Sequence, residues 1–436
     1  MIVGVEPAPG AVRGTRFWAV LAISVLVGVL ARTAFVLWFT PYLHFGLDSR
    51  WYELTSGLIV DGRGLADPAA FFQRQRVVPT AFRVPLYPTF LAGVTEVFGA
   101  TRTTFQMAGV VVGSITIVLT GLMGRLVDGA RTGLVAAFVV ALSPGLLNVD
   151  ASVMSETLQV PLVTLAVLGV VRWRRRGGWW PLMMSGLALG LAMLNRSDAM
   201  LVTLVLGLTV IGRWPFSARR FAAAAVVVGL AVVVVVPWSL RNHREVGTFA
   251  LSTIDSAETL AGANCDTSYG GKRMGSWDPT CAGVNPHLTE AARAERLTDR
   301  ATKYAGAHAP RLAMVAPVRA MRAWGVWYGV VQAKDEAKES RSPGWQWLTW
   351  GTGLVVLGFA VGGILVANRR GLVLAPVVAP IVAVTIAAAA TYGKQRLRTY
   401  AEPELAVLVA IAVGALVDRR RARRAGPSSV ALGQAE

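Results

Sequence analysis

Residues able to do chemistry are few in this chain, and they sit in short polar islands between long apolar runs. Asp48 lies in Phe45-Gly-Leu-Asp-Ser-Arg-Trp-Tyr52, just after the first apolar run. A carboxylate there, partly covered by the loop it opens, suits a general base. Read alone, it is equally a helix cap or a solvated aspartate. Arg83 precedes two prolines in Ala81-Phe-Arg-Val-Pro-Leu-Tyr-Pro88, which also carries Tyr87. An arginine so placed can fork onto a phosphate, or simply snorkel to a membrane surface. Glu156 opens an apolar run in Met154-Ser-Glu-Thr157, with Asp150 shortly before it. Either can cap a helix, but two buried carboxylates need a cation. Arg196 and Asp198, in Asn195-Arg-Ser-Asp198, are turn residues or the neutralising partners of that acidic pair. Arg241 stands in Pro237-Trp-Ser-Leu-Arg-Asn242, and Lys394, Arg396 and Arg398 crowd into five residues.

The elements that must position these groups are membrane helices. Of 436 residues, 54% are hydrophobic and 16% charged, where an average soluble domain has roughly 25% charged. Apolar runs near the 17–25 residues that cross a bilayer recur at Phe17–Thr40, Thr103–Val127, Thr132–Leu147, Thr157–Trp173, Trp179–Leu194, Ala199–Ile211, Phe221–Leu240, Trp345–Ala367, Leu372–Thr391 and Glu404–Val417. The expected fold is an all-α integral membrane bundle of about ten transmembrane helices. The first run is too long for a cleavable signal peptide, and no small-residue cleavage site follows it.

The net charge of +18 has an orientation. With residues 1–16 in the cytoplasm and the helices alternating, the inside segments hold 18 basic and four acidic residues. Among them are Arg172, Arg174, Arg175, Arg176, Arg369, Arg370 and the arginines of the 419–436 tail. The two long outside loops, 41–102 and 241–344, hold 6 basic against 5 acidic and 14 against 11. This is the positive-inside pattern of a multi-pass protein in a bacterial inner membrane. It leaves no continuous basic face for nucleic acid. The six-helix region 103–240 and the three helices of 345–418 complete the chain. Lys394, Arg396 and Arg398 fall outside, against the charge trend, and an anionic lipid phosphate is the reason chemistry offers.

The first loop carries a short apolar stretch, Val84–Phe98, too broken by Pro85 and Pro88 to span, which reads as an interfacial helix. The second holds the only cysteines, Cys265 and Cys281, in a turn-rich segment, Gly262–Trp277. An oxidising exterior allows them to pair. A helix-prone stretch, Thr289–Ala309, follows, and the Ala425–Glu436 tail reads as disordered. The histidines, His44, His243, His287 and His308, have no metal-ligand spacing. No repeat relates the halves, as many transporters require.

Taken in order, the islands resemble the GT-C glycosyltransferases. The shared elements are the aspartate after the first helix, a spaced Tyr, Arg-x-Pro-x-Tyr-Pro, Ser-Glu, Asn-Arg-x-Asp, Pro-Trp-x-x-Arg-Asn and Arg-x-Arg-x-Tyr-x-x-Pro. The resemblance covers residues 15–418, and the branch is that of protein O-mannosyltransferases and lipid A aminoarabinose transferases. It implies a sugar moved from a polyprenyl-phosphate donor to an acceptor hydroxyl on a glycan, lipid or protein, on the extracytoplasmic face. It further implies Asp48 as base, Glu156 lining the same cavity, and Arg83, Lys394, Arg396 and Arg398 on the donor phosphate. Tyr52, Tyr87, Arg196, Asp198 and Arg241 would line the substrate cavity. The paired Asp-Glu of protein mannosyltransferases is absent, since Ser49 follows Asp48. Asp48 could instead hold a divalent metal through its oxygens. Two other classes compete: a transporter or flippase of lipid-linked saccharides, which would place ionisable groups deep in the spans, and a non-catalytic assembly subunit, in which Asp48 is only a cap.

Overall fold

The computed structural model describes residues 14–40, 46–212, 217–251, 253–283, 288–337 and 342–424. Arg13, His44, Arg213, His287 and the 425–436 tail lie outside them. The described chain is helical throughout, with one isolated antiparallel bridge, Ala66–Pro79.

Each apolar run becomes a helix or a helix pair. Six helices are long and apolar enough to cross a membrane: Gly14–Trp38, Arg102–Asp128, Glu156–Arg176, Ala218–Val246, Pro343–Arg369 and, continuous with a 3-10 turn, Gln395–Arg424. Ala130–Ala141 and Pro144–Asp150 make a seventh only as a pair bent by 58°. Pro144 causes the bend. It has no N–H to continue the first helix, and Ser143 ahead of it caps the second by accepting from Leu146 N. Trp180–Met193, Ala199–Ile211 and Ala375–Ala390 are shorter apolar helices. The Ala218–Val246 helix runs six residues past the expected end at Leu240, straight through Pro237. Neighbouring helices and local adjustment tolerate such a proline in membrane bundles.

Large apolar side chains cover the outside. Leu30, Val111, Leu208, Val233 and Val355 are each about 60% exposed, as expected of a surface whose solvent is hydrocarbon. Inside, small residues let backbones approach. A Cβ on Gly124 would stand 2.9 Å from the Cα of Gly133, where the Arg102–Asp128 and Ala130–Ala141 helices cross. Gly113 makes room for a buried ion pair between helices, Arg32 Nε to Asp150 Oδ2 at 2.7 Å.

The two long loops form a cap of helices. Leu47–Val60 and Leu86–Phe98 pack together in the first. The second of these buries Tyr87, Leu91 and Val94 and exposes Val97 and Phe98. Ser256–Ala263, Glu290–Ala307 and Ala309–Ala323 belong to the second loop, and the Cys265–Cys281 disulfide closes its turn-rich segment. Backbone contacts join the loops. Ile254 N donates to Ala81 O at 3.1 Å, and Thr253 Oγ1 donates to Phe82 O. Glu290 accepts from Thr80 Oγ1 and Ala81 N at 3.2 and 3.4 Å.

Candidate active site

Asp48 sits in the first turn of the Leu47–Val60 helix, where unsatisfied backbone N–H groups favour a negative charge. Two arginines from distant segments meet it. Arg83 Nη2 donates to Oδ1 at 2.6 Å, and Arg396 Nη1 and Nη2 approach Oδ2 at 3.2 and 3.3 Å. Arg83 comes from a bend just ahead of the Leu86–Phe98 helix, whose N-cap is Pro85. Arg396 comes from the 3-10 turn Gln395–Ala401.

The cluster continues inward. Arg396 Nε lies 3.9 Å from Glu156 Oε1, and Arg196 Nη1 lies 2.8 Å from the same oxygen. Arg196 also reaches Asp198 at 3.3 Å. Asp255 joins from the second loop, its Oδ2 3.2 Å from Arg83 Nη1. Tyr52 and Tyr87 pack edge to face at 4.9 Å and form the apolar floor beside Arg83, which lies 5.8 Å from the Tyr52 ring.

Six separate segments thus supply alternating charges, and each charge has a partner, as groups withdrawn from water require. Burial alone would raise the Asp48 carboxyl, but Arg83, Arg396 and Lys394 outweigh it and hold Asp48 well below the usual carboxylate range. For Asp255 burial prevails over the attraction of Arg83, and its pKa is raised. Arg83 and Arg196 are pushed up by Asp255 and Asp48, and by Asp198 and Glu156, against the opposing effect of burial. Both Asp48 oxygens face guanidinium groups. That lining suits an anion such as phosphate and does not fit a divalent cation. No cluster of three metal-ligating side chains occurs among the described residues.

Other residues singled out from sequence stand apart. Arg241 donates to Thr80 O and Leu65 O at 2.7 and 3.0 Å, so it braces the backbone that presents Arg83. Asp150 pairs with Arg32 and not with Arg196, so the two acidic residues of that short loop have separate cations. Arg398 points away from Asp48, donating to Trp324 O at 3.2 Å. Together with Ser143 and Glu402 it forms the polar end of a cavity of about 550 Å³.

The rest of that cavity is apolar, lined by Val139, Leu146, Trp347, Leu348, Val355 and Leu405 among others. Leu348 and Val355 are also exposed on the outer surface, so the cavity opens sideways. A small second pocket shares Arg398, Glu402, Gly145 and Thr349 with it and includes Arg396. The apolar cavity therefore ends close to Arg396, one of the two arginines on Asp48, beside a small pocket lined mainly by polar side chains.

Two functional groups escaped the sequence reading. Arg32 carried a signal, an arginine inside an apolar run. Asp255 carried none, because only folding brings its loop to Arg83.

Residues 80–238 match the family model of dolichyl-phosphate-mannose-protein mannosyltransferase. The match contains Arg83, Tyr87, Glu156, Arg196 and Asp198, while Asp48, Asp255 and Arg396 lie outside it. No curated protein matches the chain. Among solved structures, the apo oligosaccharyltransferase of Archaeoglobus fulgidus is similar over 95% of this chain and 52% of its own, at 15% identity and a TM-score of 0.55. The oligosaccharyltransferase AglB of the same organism, with an inhibitory peptide and a dolichol-phosphate, is similar over 94% and 51%, at 14% identity and a TM-score of 0.53. The chain thus spans about half the length of these relatives. ArnT from Cupriavidus metallidurans bound to undecaprenyl phosphate aligns over 93% and 79%, at 16% identity and a lower TM-score of 0.42. This chain is thus similar to that mannosyltransferase family over residues 80–238, and to the oligosaccharyltransferases in fold.

Proposed function

We propose that the protein is a membrane glycosyltransferase that moves a sugar from a polyprenyl-phosphate donor to an acceptor hydroxyl on the extracytoplasmic face of a bacterial inner membrane. The observation that carries this reading is the convergence of Arg83 and Arg396 on Asp48, with an apolar cavity close to Arg396. A polyprenyl chain is hydrocarbon and gains by burial against apolar walls, while its phosphate needs charge-assisted donors such as these arginines. The oligosaccharyltransferase bound to a dolichol-phosphate lends support by likeness of fold.

The reaction follows from the charges. As the bond from the sugar to the phosphate oxygen breaks, negative charge grows on the phosphate. Arg83 and Arg396 stand ready to stabilise it, and preorganised donors in a water-poor site favour that transition state. The acceptor oxygen forms the new bond and gives up its proton to Asp48. Guanidinium charge drawn toward the phosphate is withdrawn from Asp48, so a phosphate between the arginines raises the basicity of the carboxylate that Arg83 and Arg396 otherwise depress. Glu156 and Asp198 hold Arg196 beside this centre, and Lys394 adds positive charge near Asp48.

The test is consumption of synthetic polyprenyl-phosphate sugars by the protein in nanodiscs, with Arg83→Gln/Arg396→Gln alongside. Wild type should turn over at least one donor, and the double variant should bind it at least about tenfold more weakly while remaining folded, as expected for lost charge-assisted contacts of about 1.5–3 kcal/mol. Undiminished donor affinity in the double variant would remove the phosphate assignment.

A further inference from the structure

One carboxylate in the site comes from neither the motif order nor the matched region. Asp255 stands at the N-terminal end of the Ser256–Ala263 helix, its backbone N–H donating to Thr253 Oγ1 at 3.1 Å. Thr253 is in turn fastened to Phe82 O, and Ile254 to Ala81 O. The same short stretch of the second loop thus grips the backbone just ahead of Arg83 and delivers Asp255 to its Nη1. Nη2 of that guanidinium belongs to Asp48. One arginine is shared between two carboxylates from two loops, and each side chain is between 21 and 26% exposed.

The chemistry makes this sharing consequential. A polyprenyl-phosphate sugar is a phosphodiester with one negative charge. On transfer, the sugar C1 to phosphate oxygen bond breaks with its electron pair left on the phosphate. The acceptor oxygen bonds to C1, and its proton passes to Asp48. The leaving lipid phosphate is now a monoester carrying about −1.5 to −2 at neutral pH. In the same step Asp48 loses the charge with which it competed for Arg83 and Arg396. Both changes strengthen the grip on the product. A site of arginines balanced by Asp48 alone would therefore bind its product more tightly than its donor.

We propose that Asp255 is a positioning residue that offsets this trap. It receives no proton in the transfer, keeps one nitrogen of Arg83 engaged throughout, and so weakens the hold on the lipid phosphate product and speeds its release. The inference rests on the donor reading above, and it makes an unusual demand: removing a buried side chain should tighten ligand binding.

The experiment measures the affinity of the full chain in nanodiscs for a polyprenyl monophosphate, the product class. Asp255→Asn should bind it about fivefold more tightly than wild type, the effect of freeing one partly exposed ion-pair arm, and Asp255→Glu should return to the wild-type value. Asp255→Ser, which cannot imitate the amide, should follow the Asn variant. Thr253→Val loosens the same loop contact without changing charge and should not tighten binding. In an Arg83→Gln background the effect of Asp255→Asn should vanish. Unchanged or weaker binding by Asp255→Asn and Asp255→Ser overturns the proposal and leaves a loop-fastening role. Tightening that persists without Arg83 overturns it too, since the field and not the shared arginine would then be responsible. Failure of wild type to bind any polyprenyl monophosphate defeats the donor reading itself, and the inference with it.

Discussion

Asp48 is held by more positive charge than a simple cap requires. A helix N-terminus contributes about 0.3–1 kcal/mol to a carboxylate, yet two arginines converge on its two oxygens from segments 35 and 348 positions along the chain. On the proposed reading that convergence makes Asp48 a reaction centre. Asp48→Asn retains the shape and removes the basic oxygen. It should lower sugar transfer by about 10²–10⁴-fold, the typical contribution of a positioned base, with donor affinity unchanged or higher. Because the surrounding cations hold Asp48 ionised far below neutrality, the deficit should be the same from about pH 5 to pH 8, given an ordinary aspartate value near 3.9. Transfer by the purified variant within a few-fold of wild type would leave Asp48 as a cap. Arg83 is bound to two carboxylates, so it is not the mobile snorkelling side chain that its position near a membrane surface also allowed, and Arg196 is bound to Glu156 and Asp198.

Helices are fixed relative to one another by groups that hydropathy alone does not weigh. Arg32 and Asp150 lie almost wholly buried, and Arg32 also donates to Ala141 O at 3.0 Å. The pair thereby ties the Gly14–Trp38 helix to the bent Ala130–Asp150 pair. Removing one member leaves an uncompensated charge and should cost about 3–5 kcal/mol. Arg32→Met and Asp150→Leu should each lower thermal stability in detergent, and the double variant should recover much of the loss. Additive losses in the double variant would show that the two groups do not act as a pair. The bend at Pro144 matters for the same architecture. Ser143 at that bend donates to Glu402 Oε2 at 2.6 Å, which joins the kink to the polar end of the cavity where Arg398 lies.

For the whole molecule, the charge distribution and the placement of the site make one topological claim. The Asp48 cluster is built from the two long loops and from the helix ends that face them. The arginine-rich ends at Arg174, Arg175 and Arg176 and at Arg419 to Arg424 belong to the opposite ends of the Glu156–Arg176 and Glu402–Arg424 helices. On the proposed orientation, with cytoplasmic arginines, the site would face outward, where an oxidising exterior favours the Cys265–Cys281 disulfide. Fusions at residue 280 and at the C-terminus should report opposite sides. Activity of a cytoplasm-only reporter at residue 280 would refute this orientation.

The composition and the spacing of apolar runs were enough to determine an all-helical membrane bundle, because a backbone in hydrocarbon must satisfy its own hydrogen bonds and a helix of fixed rise needs a fixed length to cross. Charge and apolar length are local properties, so Asp48, Arg83, Glu156 and Arg396 could be marked one by one as groups able to do chemistry, although a cap or a snorkelling arginine also accounted for the first three. Which carboxylate meets which arginine is not local. Asp150 and Glu156 are neighbours in sequence, yet they take Arg32 and Arg196 as separate partners, while Arg398, two residues from Arg396, turns to a different cavity. Only the packed helices decided those pairings, and only the docking of one loop on the other brought Asp255 to Arg83. A side chain's partner depends on the direction its helix face presents after packing, and sequence separation carries no record of that direction.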